Sequence, residues 1–166
     1  MKRLLLLLSI LGISILFTNA LYAADPVSTT MLVSANVVGT CSVTAVDVNF
    51  GDLAGFPSSG STQGSVSVNC SPDTQYSILL DGGLHWDANG RNMILAPGGP
   101  DLIPYQLFTE GGIPWGDGNE EGTGMAPVGG TGTGSLQSYP VVAETQLPYA
   151  VPPGAYTDTV TVTVAY

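Results

Sequence analysis

Apolar and polar residues alternate with a period of two along most of this chain, and no stretch sustains the 3.6-residue period of a packed helix. Met31, Val33, Ala35 and Val37 share one face, with Ser34 and Asn36 on the other, which predicts a strand running on towards Cys41 and Val43. Val46, Val48 and Phe50 alternate next, but in the opposite parity to Val43. A bulge or break is expected between Val43 and Val46. Asp52 to Gly64 reads as a loop. Val66, Val68 and Cys70 then point one way while Ser65, Ser67 and Asn69 point the other, and Tyr76, Ile78 and Leu80 form the inward face of the next strand. Asn89-Gly90 predicts a type I′ hairpin turn within Leu84–Leu95. Further strands are expected at 103–110, around Tyr139–Ala143 and from Tyr156 to Tyr166. In that closing stretch Val160, Val162, Val164 and Tyr166 share a face opposite a row of threonines. Gly111–Gly134 is too rich in glycine to pack as a core and is expected to be a surface excursion. The sum is an all-β chain of about seven strands joined by loops, the pattern of a sandwich.

The first 24 residues stand outside this pattern. Lys2 and Arg3 precede an unbroken apolar run that ends in small residues, Ala23-Ala24, which is the layout of a secretory signal peptide. No later segment is long and apolar enough to span a bilayer, so stable membrane insertion is not expected. With the leader set aside, Arg91 is the one cation against 13 acidic residues. A phosphate backbone is gripped by Lys and Arg through counterion release, so nucleic acid is excluded as a partner. Export also places Cys41 and Cys70 in an oxidising compartment, where a pair usually joins. Two free thiols, or pairing between chains, are the alternatives. An intrachain bridge over this spacing is worth about 3.6 kcal/mol in the chain-entropy account.

The search for chemistry returns no catalytic set and no cofactor site. His85 is the single histidine; it stands between Asp81 and Asp87 with no nucleophile at usable spacing. It reads as a loop histidine with acidic neighbours. Asp117, Glu120 and Glu121 offer oxygens in a glycine-rich stretch but lack the spacing of a calcium loop, and read as a solvated acidic turn. The glycines there are not followed by the lysine of a phosphate cradle. Trp86 and Trp115 are candidates for stacking on a sugar, or for pinning a loop to the core. Arg91, among so many carboxylates, reads as a structural ion-pair residue.

The strand edges remain. Soluble proteins blunt an exposed edge with lysine, proline or a bulge, and the stretch from Thr159 to Tyr166 has none of these. A complete immunoglobulin-type sandwich has another strand beside this one. Either an early segment doubles back to fill the place, or another subunit supplies the strand. Val27, Thr29, Met31 and Val33 share one face of a candidate donor. A head-to-tail contact of that kind does not close on itself and builds a fibre.

Several stretches together carry a family resemblance: the Cys41/Cys70 pair, Asn49-Phe50-Gly51, Asp81-Gly82-Gly83, Arg91, Tyr105-Gln106-Leu107-Phe108, Trp115-Gly116-Asp117 and Gly154–Thr159. Across residues 27–166 the chain resembles the spore coat protein U family, also called the Csu-type pilin domain. The resemblance implies an incomplete immunoglobulin-like β-sandwich with an intrachain disulfide, completed by donor-strand exchange. It implies a periplasmic pilus chaperone that lends a strand, an outer-membrane usher that replaces it with the N-terminal segment of a neighbouring pilin subunit, and a surface pilus used in attachment and biofilm formation. Residues 1–24 would be the signal peptide, 25–36 the segment holding the donor strand, and 37–166 the pilin domain. Val160, Val162, Val164 and Tyr166 would border the acceptor groove. A tip adhesin of this family carries two such domains, so a shaft or adaptor subunit is expected. The rival reading is a self-complete secreted module that binds a surface glycan through Trp86, Trp115 and the long loops.

Overall fold

The computed structural model describes residues 25–54, 57–119, 125–147 and 151–166. Among these residues no helix occurs. Nine strands form: β1 (Cys41–Val46), β2 (Ser58–Cys70), β3 (Gln75–Leu80), β4 (Arg91–Leu95), β5 (Leu102–Thr109), β6 (Val128–Thr131), β7 (Gln137–Leu147), β8 (Tyr156–Thr157) and β9 (Val162–Ala165). They build a six-stranded sheet in the order β1-β2-β7-β5-β4-β8 and a three-stranded sheet in the order β6-β3-β9, every pairing antiparallel.

The period-two pattern decides what fills the space between the sheets. Val66, Val68 and Cys70 of β2 are buried, as are Tyr76, Ile78 and Leu80 of β3, while the residues between them face outward or sit at the margin. Leu107 of β5 and Val141 and Ala143 of β7 complete this core with Trp115. Full burial of one such valine or leucine contributes about 1.5–3 kcal/mol, so the three-stranded sheet is held mainly by the inward face of β3.

Cys41 and Cys70 stand directly opposite each other in the β1–β2 register and are joined, with Cα atoms 4.1 Å apart. Val37–Tyr166 forms one compact unit, and residues 25–36 belong to a separate one.

Besides the closing strand, the structure departs from the sequence expectations in five places. Residues 25–40 form no strand, although Met31 to Val37 alternate; alternation becomes a strand only when a neighbour supplies the ladder. The break expected between Val43 and Val46 lies one step later. Val46 still faces outward at 65% exposure, whereas Val48 and Phe50 turn in against the core. Half of the expected loop before Val66 is strand, because β2 begins at Ser58 and pairs with β7 from there on. The hairpin turn falls on Ala88-Asn89, closed by an Asp87–Gly90 bridge, rather than on Asn89-Gly90.

The fifth departure is the glycine-rich region, which is more than a surface excursion. Trp115 and Met125 within it are buried, and β6 adds an edge to the smaller sheet. Its glycines make this possible by leaving room. A Cβ on Gly130 would stand 2.6 Å from the Tyr76 hydroxyl and 2.7 Å from that of Tyr139. Those two hydroxyls are hydrogen-bonded at 2.6 Å, with the rings edge to face, and β6 lies across them. The two short strands β6 and β8 account for the excess over about seven, the number of strands expected from the alternating segments.

Candidate binding groove

One side of the sandwich is open. β1 is an edge of the larger sheet and β9 an edge of the smaller one. They run alongside each other without a ladder. Among the described residues no strand pairs with the outer edge of β9.

From this side a cleft of about 650 Å³ reaches the core, floored by Leu80, Leu107 and Val141. A second cleft of about 680 Å³ continues past it towards Ile103 and Leu147. The two share Val48, Asn49, Phe50, Met93 and Tyr156, so they form one long groove. One wall is the segment 45–53 and the other is the segment 151–162.

The first wall leaves the ladder after Val46 but stays close to β2 because β2 carries glycine where the wall passes. A Cβ on Gly64 would meet the Val46 carbonyl at 2.6 Å, and one on Gly60 would meet Leu53 at 2.8 Å. Asn49 Oδ1 accepts a hydrogen bond from the Gly51 amide at 2.8 Å, and Gly51 has φ 64°, which a glycine adopts without cost. Asn49-Phe50-Gly51 is therefore a turn that aims Phe50 inward.

The second wall is the crossover between sheets. β8 pairs with β4 in the larger sheet, β9 pairs with β3 in the smaller, and residues 158–161 pass between. The single closing strand expected from Tyr156 to Tyr166 is thus two strands in two sheets.

Asp158 and Asp81 hold the crossing. Asp158 Oδ2 accepts from the Tyr105 hydroxyl at 2.6 Å, and Oδ1 lies 2.8 Å from His85 Nδ1, with the Asp158 side chain 3% exposed. Asp81 Oδ1 accepts from the amides of Thr161 and Gly83 at 2.8 and 2.9 Å. The Asp81 and Leu84 amides donate to the carbonyls of Thr161 and Thr159. Burial, and then the hydrogen bond to Asp158, push the Tyr105 phenol well above its ordinary range, so it is a donor at every physiological pH.

Arg91 is 0% exposed and supports the same corner from beneath. Its guanidinium donates to the carbonyls of Leu80 and Asp81 and, at 2.8 Å, to Gln106 Oε1. It fixes the end of β3 where Asp81 turns towards the crossover.

Val160 and Val162 line the groove, Val164 packs against the core, and Tyr166 is 65% exposed. Val27, Thr29, Met31 and Val33 lie in the separate unit and are exposed. His85 pairs with Asp158, 73 positions away, rather than with the acidic residues beside it in sequence. Trp115 is fully buried and its indole donates to the Ile78 carbonyl at 3.0 Å, which removes it as a sugar platform. Asp117 is hydrogen-bonded to Asn119, while Glu120 and Glu121 lie outside the described residues. The sequence marks Asn49-Phe50-Gly51, Tyr105 and His85 separately, but neither the Tyr105–Asp158–His85 contact nor the role of 45–53 as a wall. A further signal is Asp158 itself, a charge placed inside an otherwise uncharged strand.

Residues 27–163 match the family model described as the Spore Coat Protein U domain. No curated protein matches the chain. Among solved structures the chain is similar to the CsuC–CsuE chaperone–tip adhesion subunit pre-assembly complex from the archaic chaperone–usher Csu pili of Acinetobacter baumannii. The identity is 29% and the TM-score 0.58, covering 78% of this chain and 40% of the other. This chain therefore spans less than half the length of the one it matches. The likeness, with two packed antiparallel sheets, identifies the fold as an immunoglobulin-like β-sandwich.

Proposed function

Since the chain belongs to the Spore Coat Protein U domain family, we propose that it is a structural, non-enzymatic subunit of a chaperone–usher pilus that polymerises by strand complementation. The observation that carries this reading is a groove open to the core between two strand edges, β1 and β9, that have no ladder between them. A strand laid there would gain main-chain hydrogen bonds from β9, and its alternate side chains would cover Leu80, Leu107 and Val141. Val27, Thr29, Met31 and Val33 of a neighbouring copy have the spacing to do so, and three of them are large apolar residues now exposed. A periplasmic chaperone is the first occupant, an outer-membrane usher the site of exchange, and a shaft or adaptor place in a surface pilus the end state, serving attachment and biofilm formation. The chain is exported for this purpose behind its leader.

Deleting Val27–Val33 should leave co-purification with the chaperone intact and abolish fibres seen by electron microscopy. Fibres of normal length from the deletion variant would sink the reading. The alternative of a glycan-binding module rested on Trp86, Trp115 and the long loops, and the burial of Trp115 removes one of its two aromatic contacts.

A further inference from the structure

The described surface carries no lysine or arginine. Arg91 is the one such residue after Arg3, and it is 0% exposed. Carboxylates are spread over the same surface. Asp47 and Asp52 are exposed on one wall of the groove, and Asp73, Glu110 and Glu144 are exposed elsewhere. The stretch from Pro26 to Thr40, in contrast, holds no charged residue. The groove and the candidate donor are thus electrically indifferent to each other, while the bodies that carry them bear the same sign.

We propose that like charge on the two bodies, focused by Asp47 and Asp52 at the groove wall, limits how fast one copy captures another, so that assembly between copies is governed by ionic screening. This rests on the pilus-subunit reading and adds a control to it. Two such bodies approach within a few ångströms of each other when a strand is exchanged. The screening length there shrinks from about 30 Å at 0.01 M salt to about 8 Å at 0.15 M. Charge steering changes association rates by roughly 10- to 1,000-fold, and here its sign is repulsive. With no exposed lysine or arginine among the described residues, little on the surface offsets the repulsion. A donor strand presented by a body of opposite charge escapes this barrier, as does a donor strand with no body at all.

The experiment uses the full mature chain in two arms. In one, self-association is followed by light scattering. In the other, capture of a fluorescent peptide of residues 26–38 is followed by anisotropy. Between ~10 mM and ~300 mM NaCl the initial rate of self-association should rise on the order of tenfold, while peptide capture changes less than about twofold. Asp47→Lys with Asp52→Lys, both at exposed positions, should raise the low-salt rate and flatten the salt dependence. Peptide capture with a self-association rate that is flat or falls with salt overturns the screening proposal alone. Absence of peptide capture at either salt overturns the groove reading, and this proposal with it.

Discussion

Asp158 shows how much of this site rests on single residues. Its carboxylate is buried, and its two oxygens serve Tyr105 and His85, which sit 53 and 73 positions away. Replacing it with alanine strands a buried phenol hydroxyl and releases the crossover. Asp158→Ala should lower stability by about 1.5–3 kcal/mol, the range for a lost hydrogen bond to a charged group, read as a fall in the urea midpoint. Gly83→Ala should be comparably harmful for a steric reason. Gly83 has φ 82°, and a Cβ there would run into the Asp158 carboxylate. Tyr76 yields a pH prediction. Burial, and then the hydrogen bond to Tyr139, push its phenol from 10.0 to about 12. Because the folded value lies above the unfolded one, this contribution is complete below pH 10 and is lost as pH climbs through about 12. Ultraviolet titration should show Tyr76 ionising late, as Tyr105 does, and Tyr139→Phe should bring Tyr76 earlier. Contacts of this range leave no local trace in a sequence. The inward residues of β2 and β3 were legible because burial repeats every second position, whereas the partner of Asp158 repeats nowhere.

At the level of elements, alternation states which side of a strand faces in, but not which sheet the strand joins. Tyr156 to Tyr166 keeps one alternation throughout, yet it serves the larger sheet as β8 and the smaller as β9. Only the hydrogen bonds of Asp81 and Asp158 mark the change. β6 was missed for a related reason. Glycine is depleted in strands on average, and here it was chosen for the room it leaves over Tyr76 and Tyr139. Gly130→Val should therefore displace β6 from β3, measured as faster amide exchange across Gln75–Ile78. The β1–β2 pairing is the most predictable element, since a covalent link sits in its register. The double variant Cys41→Ser with Cys70→Ser should lose about 3.6 kcal/mol in the chain-entropy account. The wild-type protein should show the same fall in urea midpoint on adding reductant.

On the scale of the whole molecule, the all-β class and the anionic surface could be read from residue counts and period. The groove was legible only as a missing neighbour beside the unblunted run Thr159–Tyr166, which the family resemblance sharpened, because an unfilled place has no residues of its own. The packed core gives it walls and a floor. The Cys41–Cys70 link has a consequence for a molecule in this role. In a fibre held by its N-terminal segments, tension would enter each subunit just ahead of Cys41, at the strand on the rim of the larger sheet. A rim strand alone would peel away one hydrogen bond at a time. The link instead hands the load to β2, which is paired on both sides from Ser65 to Val68 and continues along β7 to Ser58. It also withholds the 29-residue step from one cysteine to the other, roughly 100 Å of chain at full extension, from any stretch the fibre undergoes. The bridge is in that sense a tether, setting the point beyond which pulling must break a sheet rather than unzip its margin.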